Sequence, residues 1–240
     1  MATSPAVPSR RPPRRRWTVI LALTVPAIAI AIAIVFIAVG EGGAPQIEIT
    51  GASETQRLYG GILQEAATLG DPDAPVTIEY FTDLQCDRCA IYHQEVIPPL
   101  IEEFVRDGDA KLELRHFSTA ENDTQAAAYA ATAAGEQARQ WQYANVFFLN
   151  LARVPGDPPR LTADFLLQIA GGVLELDESD WEAAIDTEEV QGIVDADAQE
   201  SIDLLLPAEP AMVVSGPDGE RVLKASPTVE EVEAAVEEVR

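Results

Sequence analysis

The only two cysteines of this 240-residue chain, Cys86 and Cys89, stand at the junction of two different residue patterns. The segment before them, Val76–Phe81, is rich in β-branched and aromatic residues, which predicts a strand. The segment after them, 90–104, carries apolar residues at helical spacing and predicts a helix that breaks at Pro98-Pro99. A C-x-x-C pair between a strand and a helix is a far more specific signal than the spacing alone. The sequence therefore predicts two thiols at the start of a helix.

The position of the two thiols predicts their chemistry. A thiolate at a helix N-terminus is stabilised by free backbone N–H groups and by the positive end of the helix dipole. Its pKa falls, so that it can act as a nucleophile near neutral pH. A thiol three residues further on can attack a mixed disulfide formed by the first. We therefore expect Cys86 to be the exposed attacking cysteine and Cys89 to be the buried resolving cysteine.

The charge of the chain is distributed unevenly. Five of the 16 basic residues precede Trp17, and the remaining 11 face all 40 acidic residues, which gives the rest of the chain a formal charge of −29. Nucleic acids bind basic surfaces, so this charge argues against a nucleic-acid partner and against docking on anionic lipid. A solvated acidic surface is favoured over an acidic recognition patch.

The N-terminal part of the chain predicts a membrane anchor. Residues 1–16 are rich in proline and arginine and are predicted to be a basic cytoplasmic tail. Residues 18–39 contain no charged residue, and 22 helical residues span roughly 33 Å, enough to cross a bilayer. We predict a transmembrane signal anchor at 17–40, with the C-terminal part of the chain outside the cytoplasm because basic residues stay inside. A cleaved signal peptide is the alternative. Residues 41–57 are interpreted as a flexible spacer.

The remainder of the chain, 58–240, reads as one α/β domain. A strand at Lys111–Phe117 follows the first helix, and a block of short helices occupies about 120–206. A predicted hairpin of Ala211–Ser215 and Glu220–Lys224 comes next, and Ser226-Pro227 opens a final helix. The order βαβ, helical block, ββα is the arrangement of a thioredoxin fold with a helical insertion between its two halves.

Four short segments carry a resemblance to a known family. They are the run Leu69-Gly-Asp-Pro-Asp-Ala-Pro75, the run Tyr80-Phe-Thr-Asp83, the cysteine pair, and Glu209-Pro210-Ala211. Together they resemble the DsbA-like branch of the thioredoxin superfamily, particularly its membrane-anchored actinobacterial-type members. The resemblance covers roughly residues 60–239.

The resemblance implies a protein thiol–disulfide oxidoreductase that needs no cofactor and no metal. Its attacking and resolving cysteines correspond to Cys86 and Cys89. Its substrate-binding cis-proline corresponds to Pro210, with Glu209 before it; Pro207 is the rival candidate. The implied partners are thiols and disulfides of exported proteins and a membrane redox protein that recycles the active site. The direction of exchange depends on that partner.

Two departures from the family pattern concern charge. Asp87-Arg88 replaces the usual Pro-His or Pro-Tyr between the cysteines, and Glu209 replaces the usual threonine or valine. Acids close to Cys86 should raise its pKa, whereas Arg88 should lower it. We therefore expect a less oxidising protein than the strongly oxidising family members. Glu79 is a candidate for the buried acid that assists proton transfer, with a salt-bridged carboxylate as the alternative.

Two other functions remain open from the sequence. His93 and His116 could complete a Cys2His2 zinc site with the two cysteines. The more ordinary interpretation places His93 on a helix surface and His116 at the end of a strand. The unusual residues around the cysteines also allow a catalytically weak module that binds extended peptides beside Pro210.

Overall fold

The computed structural model describes residues 48–117, 122–154 and 161–240. The predicted tail at 1–16, the predicted anchor at 17–40 and the first part of the predicted spacer lie outside these residues. Within them, no helix has both the length and the apolar character needed to cross a bilayer.

A single mixed sheet forms the centre of the described residues. Its strands are β1 (Gln64–Glu65), β2 (Thr68–Leu69), β3 (Val76–Thr82), β4 (Ala110–His116), β5 (Ala211–Gly216) and β6 (Gly219–Leu223). They lie in the order β1-β2-β4-β3-β5-β6. Only β3 and β4 are parallel among these strands. The four longer strands are confirmed to within one residue of the predicted bounds, whereas the short hairpin β1–β2 was not predicted.

Helices precede, connect and follow the strands. They are α1 (Ala52–Tyr59), α2 (Asp87–Glu95), α3 (Ile97–Leu100), α4 (Asn122–Gly135), α5 (Gln140–Leu151), α6 (Ala163–Gly171), α7 (Glu178–Ile185), α8 (Glu188–Asp203) and α9 (Val229–Val239). A π-helical turn, Ile101–Val105, continues α3. Helices α4 to α8 all lie between β4 and β5, where the sequence predicts the helical block.

Helix α1 corrects the predicted spacer. Most of α1 falls inside residues 41–57, yet Thr55 and Tyr59 are buried on it. The Thr55 hydroxyl accepts a hydrogen bond of 2.7 Å from the Asn145 side chain of α5. Packing against α5 therefore orders this segment, although its small and polar residues predicted a flexible spacer.

The segment after the cysteines contains the predicted break. Helix α2 ends at Glu95, and Pro98 and Pro99 then lie in the first turn of α3. Pro98 and Pro99 have no N–H to donate to the carbonyls at the end of α2, whereas proline is tolerated in the first turn of a helix because those N–H groups have no helical partner. The two prolines thus end one helix and begin the next. Gly108 follows the π-helical turn with φ +76°, the left-handed conformation in which helices often end.

Two large apolar clusters meet at α2. The first joins one face of the sheet to α2, α3 and α9, and includes Ile78, Tyr80 and Val236. The second lies within the helical block and includes Phe147 and Trp181, and it also contains Cys89 and Ala90 of α2. Helix α2 is therefore held between the sheet and the helical block, which fixes the position of both cysteines.

The caps of two helices differ from the predicted ones. At α7 the spacing of Ser179 and Glu182 predicts a capping box, but this prediction is wrong: the Asp177 carboxylate caps the helix by accepting from the Ser179 and Asp180 N–H groups. At α9 the cap is a complete capping box formed by Thr228 and Glu231, two residues after the predicted start. A carboxylate accepts hydrogen bonds at a helix N-terminus as well as a hydroxyl does.

An arginine on β4 connects the sheet to α8. The guanidinium of Arg115 lies 2.7 Å from Glu79 of β3, 2.9 Å from Glu113 of β4 and 3.2 Å from Asp197 of α8. The other Asp197 oxygen accepts the backbone N–H of His116 at 3.0 Å. Burial raises the pKa of Asp197 to about 6, against the opposing effects of that N–H and of Arg115.

Candidate active site

The turn between β3 and α2 places Cys86, the predicted attacking cysteine, at the start of α2. Strand β3 ends at Thr82, and the backbone N–H of Cys86 donates to the Asp83 carbonyl at 3.2 Å. Cys86 is the N-cap of α2, and its Sγ accepts the backbone N–H of Cys89 at 3.1 Å. A sulfur that occupies the cap receives the N–H that the helix itself leaves unpaired.

The two thiols differ in exposure in the predicted sense. Cys86 is partly exposed, and Cys89, one turn into the helix, is fully buried. The side-chain hydrogen bond from Cys89 lowers the pKa of Cys86, and burial opposes it. The same bond and burial raise the pKa of Cys89 well above its ordinary value. The pair therefore favours one thiolate, on the exposed sulfur, with the proton retained on the buried one.

Charges beside Cys86 act on its pKa in the predicted directions. The carboxylate of Glu209 raises the pKa of Cys86, and the guanidinium of Arg88 lowers it. The net direction is nevertheless downward, because the hydrogen bonds from Cys89 also stabilise the thiolate. The charges of Arg88 and Glu209 thus oppose each other at the same sulfur.

The loop before β5 brings Glu209 and Pro210 to the thiols. The Glu209–Pro210 bond is the one cis peptide bond among the described residues, so Pro210 rather than Pro207 has the predicted geometry. Arg88 Nη2 donates to the Glu209 carbonyl at 2.5 Å. A Glu209 carboxylate oxygen and the two Sγ atoms lie within 4.8 Å of one another. The four residues predicted for the site therefore lie together.

Asp83 is a residue of this site to which the sequence analysis assigned no role. Its side chain is only 9% exposed, and its carboxylate accepts the Gln85 N–H at 2.8 Å. Burial raises the pKa of Asp83 to about 6; the Gln85 N–H opposes this effect and the negative charge of Glu209 adds to it. Its place three residues before Cys86, at the end of an apolar strand, was the available signal.

Glu79 is engaged elsewhere. Its carboxylate accepts from Arg115 Nη2 at 2.7 Å and from Nε at 3.0 Å. Burial raises the pKa of Glu79, and the charge of Arg115 opposes that effect. The geometry corresponds to the alternative interpretation, a salt-bridged carboxylate.

The proposed Cys2His2 zinc site is not formed. His93 is fully buried rather than exposed, and its Nε2 lies 3.1 Å from the Tyr59 hydroxyl. His116 ends β4 as predicted, and its Nε2 lies 2.9 Å from Thr132 Oγ1. Burial lowers the pKa of each histidine to about 3. Among the described residues, the metal-capable group that contains the cysteines includes Glu209 and neither histidine.

The packing of His93 explains why its prediction failed. Its ring lies against two aromatic rings of α5, with ring centroids 6.2 Å from Trp141 and 4.9 Å from Phe148. Polar neighbours in the sequence suggested a solvent-facing position, but the helical block covers this face of α2. A tertiary contact therefore decides the burial of His93.

Comparison with protein families identifies most of the described chain. A family model described as thioredoxin matches residues 63–238. Among individual proteins, disulfide bond formation protein D of Bacillus subtilis is 37% identical over 43 residues. That stretch makes up 18% of this chain and only 19% of the relative.

Several solved structures share the fold. The α-DsbA1 protein of Wolbachia pipientis aligns with a TM-score of 0.61 and 17% identity, over 72% of this chain and 89% of that one. Oxidised BdbD of Bacillus subtilis aligns with a TM-score of 0.60 and 19% identity, over 73% and 96%. DsbA of Chlamydia trachomatis gives a TM-score of 0.60 and 20% identity, over 72% and 91%. At these identities the likeness establishes the fold.

Proposed function

The chain belongs to the thioredoxin family, and from that premise we propose that it is a membrane-tethered, extracytoplasmic thiol–disulfide oxidoreductase. Its substrates are cysteines and disulfides of secreted or membrane proteins. Disulfide exchange is supported in general terms by the fold shared with DsbA proteins and by the relative named for disulfide bond formation.

The asymmetry of the two thiols carries the proposal. Cys86 lies at a helix N-terminus, partly exposed and with a lowered pKa, directly above the buried Cys89. A nucleophile needs exposure and thiolate character, whereas a resolving thiol must stay protonated until the first sulfur is occupied. A structural disulfide needs neither property.

In the reducing direction, the Cys86 thiolate attacks one sulfur of a substrate disulfide. The substrate S–S bond breaks, its second sulfur leaves as a thiolate and takes a proton from water, and a mixed disulfide forms. Cys89 then loses its proton, and its sulfur attacks Cys86, which releases the first substrate sulfur. The substrate gains two electrons, and the protein keeps a Cys86–Cys89 disulfide. Oxidation of a substrate dithiol is the reverse sequence.

Two neighbouring groups contribute to these steps. Asp83, whose pKa is about 6, can accept and return a proton close to the thiols at mildly acidic pH. The Glu209–Pro210 segment offers the backbone against which an extended substrate lies, as the resemblance implies. A redox partner must restore the starting state after each turnover, since the protein has one thiol pair, and the proposed partner is a membrane protein.

Trapping of mixed disulfides tests the proposal. Cys89→Ala should accumulate covalent adducts with a client protein that carries scrambled disulfides, because the adduct on Cys86 is no longer resolved. Cys86→Ser should form no adducts and should lose insulin reduction. Exchange that survives in Cys86→Ser would refute the assignment. An inactive wild-type protein that still binds extended peptides would instead establish the peptide-binding module.

The reduction potential tests the predicted direction. Equilibration of the full chain with glutathione should give a potential below that of the strongly oxidising family members, because Glu209 opposes the Cys86 thiolate. A potential at the strongly oxidising end would identify a disulfide donor and contradict this expectation.

A further inference from the structure

The cluster of Cys86, Cys89 and Glu209 has the composition of a metal site. One ligand atom from each residue lies within 4.8 Å of the other two. Ligand atoms around a tetrahedral zinc ion are separated by roughly 3.5–4 Å, given bonds of about 2.3 Å to sulfur and about 2.1 Å to oxygen. The Glu209 side chain is only partly buried, so a small rotamer change can close the remaining gap. The sulfurs come from one rigid helix turn.

We propose that the reduced protein binds a thiophilic divalent cation of the Zn²⁺ type through Cys86, Cys89 and Glu209. Two thiolates select a soft or borderline metal, and the carboxylate is an accepted third ligand for zinc. Three protein ligands leave the fourth position to water or to an incoming ligand. This is the pattern of an open zinc site.

The charges around the cluster are compatible with a divalent ion. Two thiolates and one carboxylate carry three negative charges, which a divalent cation reduces to one. The guanidinium of Arg88 lies beside the cluster, where its hydrogen bond to the Glu209 carbonyl holds it. A site with the cation and Arg88 present is therefore close to neutral, which limits the cost of keeping it partly buried.

The binding step also accounts for its protons. The cation displaces the proton of Cys89 and any proton on Cys86, and buffer accepts them. No electron is transferred. Binding engages both thiols, so a bound cation blocks thiol exchange, and oxidation to the Cys86–Cys89 disulfide removes two of the three ligands. The proposal uses the same thiols as the proposed exchange function but does not depend on that function.

Titration of the full-length protein with Cd²⁺ and with Zn²⁺ tests the site. Reduced protein should take up one Cd²⁺ per chain with the ultraviolet absorption of thiolate-to-metal charge transfer, and prior loading with Zn²⁺ should compete with that uptake. The oxidised protein should give no such absorption. Glu209→Gln should weaken binding at least about 10-fold, since even outer-shell changes cost a metal site that much.

Asp87→Asn is the matched control. Asp87 is an exposed acid next to Cys86 but lies outside the cluster, so its removal takes away one negative charge without taking away a ligand. Affinity close to that of the wild type in this variant supports ligation by Glu209. Equal weakening in both variants would mean that general electrostatics causes the loss of affinity, and it would refute the three-ligand site. The absence of charge-transfer absorption in reduced wild-type protein would also refute it.

Insulin reduction in the presence of a chelator separates this proposal from the proposed function. Activity in chelator without any metal binding would refute the metal site alone. Metal binding without activity in chelator would refute the exchange function alone. If both hold, one equivalent of Zn²⁺ should suppress the activity and the chelator should restore it.

Discussion

Arg88 connects the C-x-x-C segment to the loop before β5 through a hydrogen bond. It donates to the Glu209 carbonyl at 2.5 Å and lowers the pKa of Cys86. Glu209 acts on the same sulfur in the opposite sense. The pKa of Cys86 therefore depends on two neighbouring side chains of opposite charge, so a change in either one should alter the reactivity of this thiol.

This opposition predicts opposite effects of two variants. Arg88→Gln should raise the pKa of Cys86, because a nearby positive charge is lost, and Glu209→Gln should lower it, because a nearby negative charge is lost. The pH dependence of iodoacetamide alkylation measures this pKa. A shift in the same direction for both variants would contradict direct electrostatic action on the thiolate.

Asp83 predicts a pH dependence of stability. Burial raises its pKa from 3.8 to about 6, so between pH 4 and pH 6 the native state holds a proton that the unfolded chain releases. Stability should therefore fall as the pH rises through this range. Relative to Asp83→Asn, the wild type should lose up to about 3 kcal/mol of unfolding free energy, as urea denaturation of the reduced protein measures.

Asp71→Asn provides the control for this measurement. The Asp71 carboxylate accepts the N–H of Asp73 at 2.9 Å, the same local hydrogen bond that Asp83 makes with Gln85, but at an exposed position. If Asp71→Asn changes the pH profile as much as Asp83→Asn does, burial is not the cause.

At the residue scale, the sequence predicts the position of a residue correctly where neighbouring residues in the chain determine that position. The thiol pair was recognisable because a strand and a helix flank it, and Pro210 because Glu-Pro-Ala precedes a strand. His93 and Asp83 were not, because their burial depends on helices and loops that are distant in the sequence. Local patterns therefore located the candidate thiols but not the environment that sets their pKa values.

At the scale of elements, Arg115 is the main polar connection that we find between the sheet and α8. It is surrounded by Glu79, Glu113 and Asp197, of which Asp197 is 3% exposed. Removal of the cation leaves several acids close together with little water around them. Loss of the Arg115 charge should therefore lower the stability of the fold, because the buried acids keep no positive partner.

Arg115→Gln should therefore reduce the free energy of unfolding by about 3 kcal/mol. Urea denaturation measures the loss. Adding Asp197→Asn should recover part of it, since the buried unpaired charge is then removed. The asparagine side chain can still accept the His116 N–H.

Arg221→Gln is the comparison. It breaks an ion pair with Glu238, whose side chain is 55% exposed, and should cost much less than Arg115→Gln because water screens the pair. A cost for Arg115→Gln no larger than that of Arg221→Gln would show that the buried network adds little to stability.

Long strands were easier to predict from the sequence than short ones. The four longer strands have clear alternating or apolar patterns. Strands β1 and β2 have two residues each, too few for any period, and β2 is held in place by pairing with β4. The cap of α7 was misplaced for a related reason, because several acidic and hydroxyl residues near its start are all acceptable caps and only the fold selects among them.

At the scale of the whole molecule, the candidate active site lies where the two halves of the fold meet. Helix α2 follows β3 of the first half, while Glu209 and Pro210 precede β5 of the second. The helical block between them shares an apolar cluster with Cys89. The site therefore depends on the halves being docked together, which explains why no contiguous segment of sequence contains it.

The tether is the remaining whole-molecule proposal, and it predicts how the protein partitions. Residues 18–39 contain no charge, so the full chain should stay in the membrane pellet through an alkaline wash. A fragment that begins at residue 47 should be soluble and should keep thiol exchange, since the apolar clusters described lie within it. Replacement of Ile30 and Ile32 by aspartate costs about 3 kcal/mol per charge in the bilayer and should release the full chain. A shortened wild-type product that the wash releases would establish a cleaved signal peptide and refute the anchor.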